Sequence, residues 1–299
     1  MNDPGKIRNI AIVGHRGTGK TSLLEGLLHK AGVVNRLGRV VDGTTGSDYD
    51  EDEKRRQLSM SAGLAHLEHD GLTFNLIDTP GDSSFLADTI ASLRVVETAL
   101  VAVNTVLGVE VQTERLWNRA ADLGRARILF CNMLDRERAD FAATVASLRD
   151  AFGTQVVAVQ VPIGSEHQLK GLVDLLSMKA YTYDGGKATV GDIPADLADA
   201  VAEARALLVE AVAETDDELL EKFFAEEEIT DTEFTAAFTA AVAQAKLFPV
   251  AAGVATDLTG CDLLLDLLAL SPAPDAVPAP VALDGQGAEI ELACDPSKP

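Results

Sequence analysis

The sequence is short of basic residues, of aromatics and of cysteine, and each shortage excludes something. Only 25 lysines and arginines stand against 47 acids, a formal charge of -22 over 299 residues. Phosphate contacts on nucleic acids need clustered Lys and Arg, so broad nucleic-acid binding, and direct DNA binding in particular, is not expected of this chain alone. The acidic balance permits instead an acidic face for a basic protein partner. Aromatics make up 5% of a chain that is 47% hydrophobic, so its core must be built from Ala, Val and Leu. Cys131, Cys261 and Cys294 form no CxxC pair and have no His cluster beside them. That argues for reduced thiols in or near a core, and against a disulfide framework or a zinc site. No run approaches the roughly 18 apolar residues of a membrane span, and "MNDPGKIRN" at the start has no apolar signal segment. A cytoplasmic protein with no membrane partner is expected.

What is present is an alternation of apolar runs and helical patterns. Residues 8–13 read as a buried strand, followed by a Gly-rich turn and a helix at about 20–31. Residues 33–60 are polar and lack periodicity, the mark of a long functional or mobile loop. "SAGLAHLEH" and "LTFNLID" read as strands joined by a tight turn at Asp70-Gly71. "TALVAVN" and "ARILFCN" add two more, separated by a helical stretch around Trp117. The expected fold class is α/β, with a mostly parallel sheet flanked by helices.

The pattern then changes. Residues 192–233 hold 15 acids and only two basic residues, Arg205 and Lys222. Leu197, Val201, Ala204, Leu208 and Ala211 keep helical spacing, so the segment reads as an amphipathic helical insertion. "FPVAAGVA" at 248–255 returns to a core strand and "CDLLLDLLAL" to a core helix. A Pro-rich linker covers 271–285, and "AEIELACD" follows as one strand-like segment. A lone strand makes no domain, so the sequence reads as the front part of something longer. The expected division is 1–157 and 248–274 for one α/β domain, 158–247 for the acidic insertion, and 275–299 for a linker and a strand.

The strongest motif is "GHRGTGKT", residues 14–21, between a predicted strand and a predicted helix, which makes the expected α/β fold a P-loop NTPase fold. Gly17 and Gly19 let the backbone wrap phosphates without a Cβ clash, and the N–H groups with the helix N-terminus supply positive potential. Lys20 reaches the β- and γ-phosphates, and the Thr21 hydroxyl can ligate Mg²⁺. The candidate phosphate set runs Gly14, His15, Arg16, Gly17, Thr18, Gly19, Lys20, Thr21 and Ser22. One strand later, "DTPG" offers Asp78 to Mg²⁺ and the Gly81 N–H to a γ-phosphate oxygen. "NMLD" at 132–135 ends the next apolar strand, where α/β sheets bind ligands. Asp135 can accept from guanine N1–H and its 2-amino group, donors that adenine lacks on that edge.

These elements in this order resemble the translational GTPases, elongation factor G specifically. "GHRGTGKT", "DTPG", "NMLD" and "AAGVA" match its nucleotide loops, and "GVEVQTERLW" at 108–117 a helix start. "VPIGSEHQLKGLVDLLSMKAYTY" at 161–183 and "DDELLEKFFAEEE" at 216–228 resemble its insertion. The likeness covers residues 8 to about 274, and it implies that 1–157 and 248–274 form the guanine-nucleotide-binding domain, that 158–247 is an α+β insertion subdomain, and that 275–299 leads into the first strand of a β-barrel domain. It implies GTP and GDP as ligands, Mg²⁺ held by Thr21, Ser59 and Asp78, and base contacts from Asn132, Met133, Asp135, Gly253, Val254 and Ala255. It also implies action on ribosomes, mainly through further domains, with the acidic insertion facing the ribosomal stalk protein.

Departures from the family's pattern mark the same loops. Gly17 replaces an acid, and "RQLS" at 56–59 replaces "RGIT" while Ser59 keeps the metal-binding hydroxyl. Met133 replaces a Lys, keeping an alkyl chain for the guanine face but no charge. Val254-Ala255 replaces Ser-Ala, leaving the Ala255 N–H to meet guanine O6. Asp82 stands where the family has the histidine that orients the attacking water. A carboxylate about 5 Å from a phosphate charge is repelled by roughly 3 kcal/mol at an effective dielectric near 20, before Mg²⁺ and Lys20 offset it. Lys20 and Asp82 are therefore the catalytic candidates, and two readings stand. One is a GTPase on ribosomes with weakened hydrolysis; the other is a nucleotide-dependent binding switch, or a factor of the ribosome-protection or recycling type. An adenine-using ATPase or kinase is disfavoured by Asn132 and Asp135.

Overall fold

A computed structural model describes residues 3–276 and 281–291. Strand β1 (Ile7–Val13) ends in a continuous apolar run, residues 10–13, all buried. Ile10 and Ile12 enter one hydrophobic cluster and Ala11 and Val13 another, so both faces of the strand are covered. Helix α1 (Lys20–Lys30) follows, with Gly19 at its N-cap in the left-handed region at φ 83°. Its Leu23, Leu24, Leu27 and Leu28 form one buried stripe, each stabilising by about 1.5–3 kcal/mol.

The polar segment 33–60 is not structureless. It contains α2 (Glu51–Arg56), started by a capping box in which Asp50 and Glu53 satisfy each other's backbone N–H groups. Two buried carboxylates pin the rest: Glu25 accepts from the N–H of Gly38 and Gly46, and Glu53 from those of Met60 and Ser61. Hydrophobic periodicity is blind to such ties, because they are made by single acids reaching backbone far along the chain.

Strands β2 (Gly63–His69) and β3 (Leu72–Asp78) form the expected antiparallel hairpin. Asp70 and Gly71 both take positive φ, 48° and 75°, as the tight turn requires. Then come α3 (Leu86–Arg94), β4 (Thr98–Asn104), α4 (Val111–Asp122), β5 (Ala126–Asn132), α5 (Phe141–Phe152) and β6 (Val156–Ala158). The chain next builds a separate antiparallel sheet from β7 (Gln160–Ile163), β8 (Gly171–Asp174), β9 (Lys179–Asp184) and β10 (Lys187–Gly191). Three helices follow, α6 (Ala198–Ala213), α7 (Asp217–Phe224) and α8 (Asp231–Ala243). Val201 and Leu208 are buried against Phe234 and Phe238, and Leu197, Ala204 and Ala211 pack on the same cluster, as their spacing predicts. Strand β11 (Phe248–Ala252) and α9 (Cys261–Ala269) return to the first sheet.

The sheet order is β2-β3-β1-β4-β5-β11-β6, parallel throughout except for β2. Helices α1 and α9 cover one face and α3, α4 and α5 the other. Parallel pairing has one consequence for the site. The loops after β1, β3, β5 and β11 leave the same edge, so residues 14–21, 78–82, 132–135 and 253–255 meet there. The insertion is fastened to this domain by Tyr183, which donates to Asp262 at 2.7 Å, and by Lys30, which donates to the Gly186 carbonyl at 2.7 Å.

Two expectations are altered at the ends. Residues 281–283, read as linker, form β12 (Val281–Leu283), which pairs antiparallel with β13 (Glu289–Glu291), so the strand seen in "AEIELACD" is not alone. Cys131 and Cys261 are buried free thiols, and burial pushes the Cys261 thiol up to about 12. Cys294 lies outside the described residues. Among the described residues no helix is long and apolar enough to cross a membrane.

Candidate functional site

Glycines shape the cleft around the phosphate loop for two different reasons. At Gly81, across the cleft, a Cβ would sit 2.8 Å from the Arg16 nitrogen and would run into Lys20 Nζ. At Gly17 no protein atom lies within 4 Å of a built Cβ, and its φ of 84° by itself favours glycine. Lys20 is buried and donates to the carbonyls of Gly14 and His15 at 3.1 and 3.0 Å. Burial pushes its ammonium down to about 8, against the opposing pull of Asp78, Glu110 and Asp48. Arg16, Gly17, Gly19, Lys20, Thr21, Ser22, Ser59 and Gly81 all line one open cleft. Gly14, His15 and Thr18 form the loop behind it, with the Thr18 hydroxyl donating to the His15 carbonyl at 3.0 Å.

At one end of the cleft three oxygen donors converge. Asp78 Oδ2 accepts from Thr21 Oγ1 at 2.7 Å, and Thr21 Oγ1 lies 3.1 Å from Ser59 Oγ. Asp78 Oδ1 is buried without a hydrogen-bond partner among the described residues. Burial pushes the Asp78 carboxyl up to about 6, which Thr21 and Lys20 oppose. A hard divalent cation suits this donor set, and Thr21, Ser59 and Asp78 are the residues that would hold Mg²⁺ and let it neutralise phosphate charge. Two further residues join them that sequence reading passed over. Ser47 donates to Asp78 Oδ2 at 2.9 Å, and Asp48 accepts from Ser59 at 2.7 Å. Both come from the polar segment 33–60, which carries no motif at these positions; a Ser-Asp pair shortly before Ser59 was the only available signal.

The base-side loops meet around Asn132. Its Nδ2 donates to the Thr18 carbonyl at 2.9 Å, while its Oδ1 accepts from the N–H groups of Met133 and Ala255 at 2.9 and 3.0 Å. The Ala255 N–H is thus engaged by Asn132, which differs from the expectation that it faces guanine O6. Gly253 and Val254 also use their N–H groups internally, on Cys131 and Thr259. Met133 adopts a φ of 67°, and its Cε lies 3.4 Å from the position of a Cβ on Gly19, so its alkyl chain rests on the phosphate loop. Asp135 keeps a buried oxygen, Oδ1, without a partner among the described residues.

Asp82 is held outside the metal corner. Its Oδ1 accepts the Ser84 N–H at 2.9 Å, starting the short turn Ser83–Phe85, and its Oδ2 lies 3.5 Å from Arg16 Nη1. The Ser84 N–H holds the carboxyl below its usual range, and Arg16 adds to this. The expected bare repulsion toward phosphate is therefore reduced, since a guanidinium stands beside the charge.

Comparison with known proteins agrees with this geometry. Residues 5–272 match the family described as Elongation factor Tu GTP binding domain. An "Elongation factor G-like protein" of Thermotoga maritima is 37% identical over 294 residues, 98% of this chain and 42% of that protein. A crystal structure from Thermus thermophilus superposes with a TM-score of 0.85 at 36% identity, covering 90% of this chain and 41% of that one. The chain spans about two fifths of the length of these relatives.

Proposed function

The chain belongs to the translational GTPases, as a GTP-binding domain of elongation factor G type, and from that premise we propose a Mg²⁺-dependent guanine-nucleotide switch that acts on ribosomes. The observation that carries the proposal is that two carboxylates at the cleft and base-side loops each keep a buried oxygen without a hydrogen-bond partner among the described residues. Asp78 Oδ1 belongs to the carboxylate whose other oxygen accepts from Thr21, itself 3.1 Å from the Ser59 hydroxyl, and Asp135 Oδ1 lies on the loop that Asn132 ties to the phosphate loop. Buried acceptors are stabilised by donors or cations, and these two suit a magnesium ion and the N1–H edge of guanine. Lys20 supplies charge to the phosphates. Displacement of labelled GDP by GTP but not by ATP, with affinity falling when Mg²⁺ is chelated, is the expected result. Displacement by ATP at matching concentration sinks the guanine assignment.

Hydrolysis is proposed to be slow. Asp82 caps the Ser83–Phe85 turn by accepting the Ser84 N–H, so it is poorly placed to orient water, and this favours the reading as a binding switch with little turnover. Phosphate release with ribosomes present tests the point: Asp82→His should turn over faster, and equal rates discard Asp82 as the limiting group. Ribosome contact is proposed to come mainly from domains outside this chain, with the acidic face of α6, α7 and α8 offered to a basic surface of the ribosomal stalk protein. A net charge of -22 should leave this piece with weak, salt-sensitive ribosome binding on its own. Salt-resistant co-sedimentation contradicts that.

A further inference from the structure

We infer that Arg16 exchanges partners with nucleotide state, pairing with Asp82 when no terminal phosphate is present and leaving it for that phosphate when a nucleoside triphosphate binds. The inference rests on reading the cleft as a nucleotide site.

Four observations place the residues for this. Arg16 belongs to the phosphate loop and lines the same cleft as Lys20, Thr21 and Gly81. Its guanidinium lies 3.5 Å from Asp82, close enough for charge pairing but too far for a good hydrogen bond, and its side chain is 58% exposed. Asp82 is the fixed member, because its other oxygen already caps the Ser83–Phe85 turn. The two main chains also abut, since a Cβ on Gly81 would stand 2.8 Å from the Arg16 nitrogen. A shift of residues 81–82 toward a phosphate is therefore felt at Arg16 directly.

The chemistry sets the direction of exchange. An exposed ion pair without a shared hydrogen bond is weak. A terminal phosphate offers more negative charge and several oxygens, which a planar guanidinium can grip with two parallel hydrogen bonds. A diphosphate lacks that group, so Arg16 stays with Asp82. Asp82 is then a positioning residue that competes with the phosphate for Arg16. When Arg16 leaves, the turn at Ser83–Phe85 and the helix α3 behind it lose their charge link to the phosphate loop.

The test measures affinities for GDP and for a non-hydrolysable GTP analogue in the wild type, Arg16→Ala, Arg16→Lys, Asp82→Asn and the Arg16→Ala/Asp82→Asn double variant. Arg16→Ala should weaken the analogue about tenfold and GDP by less than about twofold, with Arg16→Lys between them. Asp82→Asn should tighten the analogue about threefold, and this gain should vanish when Arg16 is also removed. Equal loss for both nucleotides, or an Asp82→Asn effect that survives without Arg16, overturns the exchange. If the wild type binds neither nucleotide, the reading of the cleft falls and the inference with it. If it binds both and Arg16→Ala leaves their ratio unchanged, the exchange alone falls.

Discussion

Asn132 Nδ2 donates to the Thr18 carbonyl at 2.9 Å, joining two loops that lie 114 residues apart in sequence. Through Oδ1 the same side chain also holds Met133 and Ala255. One buried amide therefore sets the distance between the phosphate loop and both base-side loops, and its contribution is structural before it is one of ligand contact.

Removing that amide should damage the fold without nucleotide present. Asn132→Ala leaves the Thr18 carbonyl and the Ala255 N–H unpaired in a buried setting, at a cost of about 2–4 kcal/mol. Urea unfolding of the nucleotide-free protein should show a lower midpoint with an unchanged slope. A midpoint within error of the wild type shows that Asn132 does not brace the loops.

Base choice should follow the acceptor at Asp135. Replacing it by Ala should weaken GDP binding by several kcal/mol while leaving the weak binding of ADP nearly unchanged. Asp135→Asn turns an acceptor into a donor, so the variant should favour a xanthine nucleotide, whose 2-position carries a carbonyl. Titration of each nucleotide against both variants decides this, and equal losses for guanine and adenine nucleotides refute it.

Arg127 carries a buried charge at the other end of the molecule. It stacks on Trp117 and Phe248 at 4.5 and 4.0 Å, and its Nε has no hydrogen-bond partner among the described residues. Burial pushes its guanidinium down to about 10. A cation whose folded pKa lies below its unfolded value weakens folding at all lower pH, and the deficit is relieved only as pH rises past about 10. Arg127→Met, which keeps the packing and removes the charge, should therefore raise stability by about 1–3 kcal/mol at pH 7. A lower urea midpoint would mean that the two ring contacts outweigh the desolvation.

The long polar segment depends on Glu25. Its two oxygens accept the N–H groups of Gly38 and Gly46 at 3.1 and 2.6 Å. Glu25→Ala should free that stretch while leaving the central sheet intact. Hydrogen exchange at Gly38 and Gly46 should quicken at least tenfold, with protease nicking confined to residues 33–50. Unchanged exchange at both glycines argues that the segment is held by its own contacts.

The α/β class, the hairpin at Asp70-Gly71, the insertion helices and the loops that carry Lys20, Asp78 and Asn132 were all legible in the sequence. They follow from local causes: strand and helix periodicity, turn residues of positive φ, and motifs in which neighbouring residues act together. Segment 33–60 was not legible, because Glu25, Asp48 and Glu53 shape it through single contacts with no periodic signature.

Tertiary structure alone decided how individual polar groups are spent. The Ala255 N–H goes to Asn132 because β11 and β5 lie side by side, which no local pattern around residue 255 reveals. Asp82 looked in the sequence like a charge set against phosphate; the pairing of β1 with β3 brings Arg16 beside it and changes its role. Sequence determined which groups reach the common edge of the sheet. Only the packing of distant segments determined which of them already had partners there.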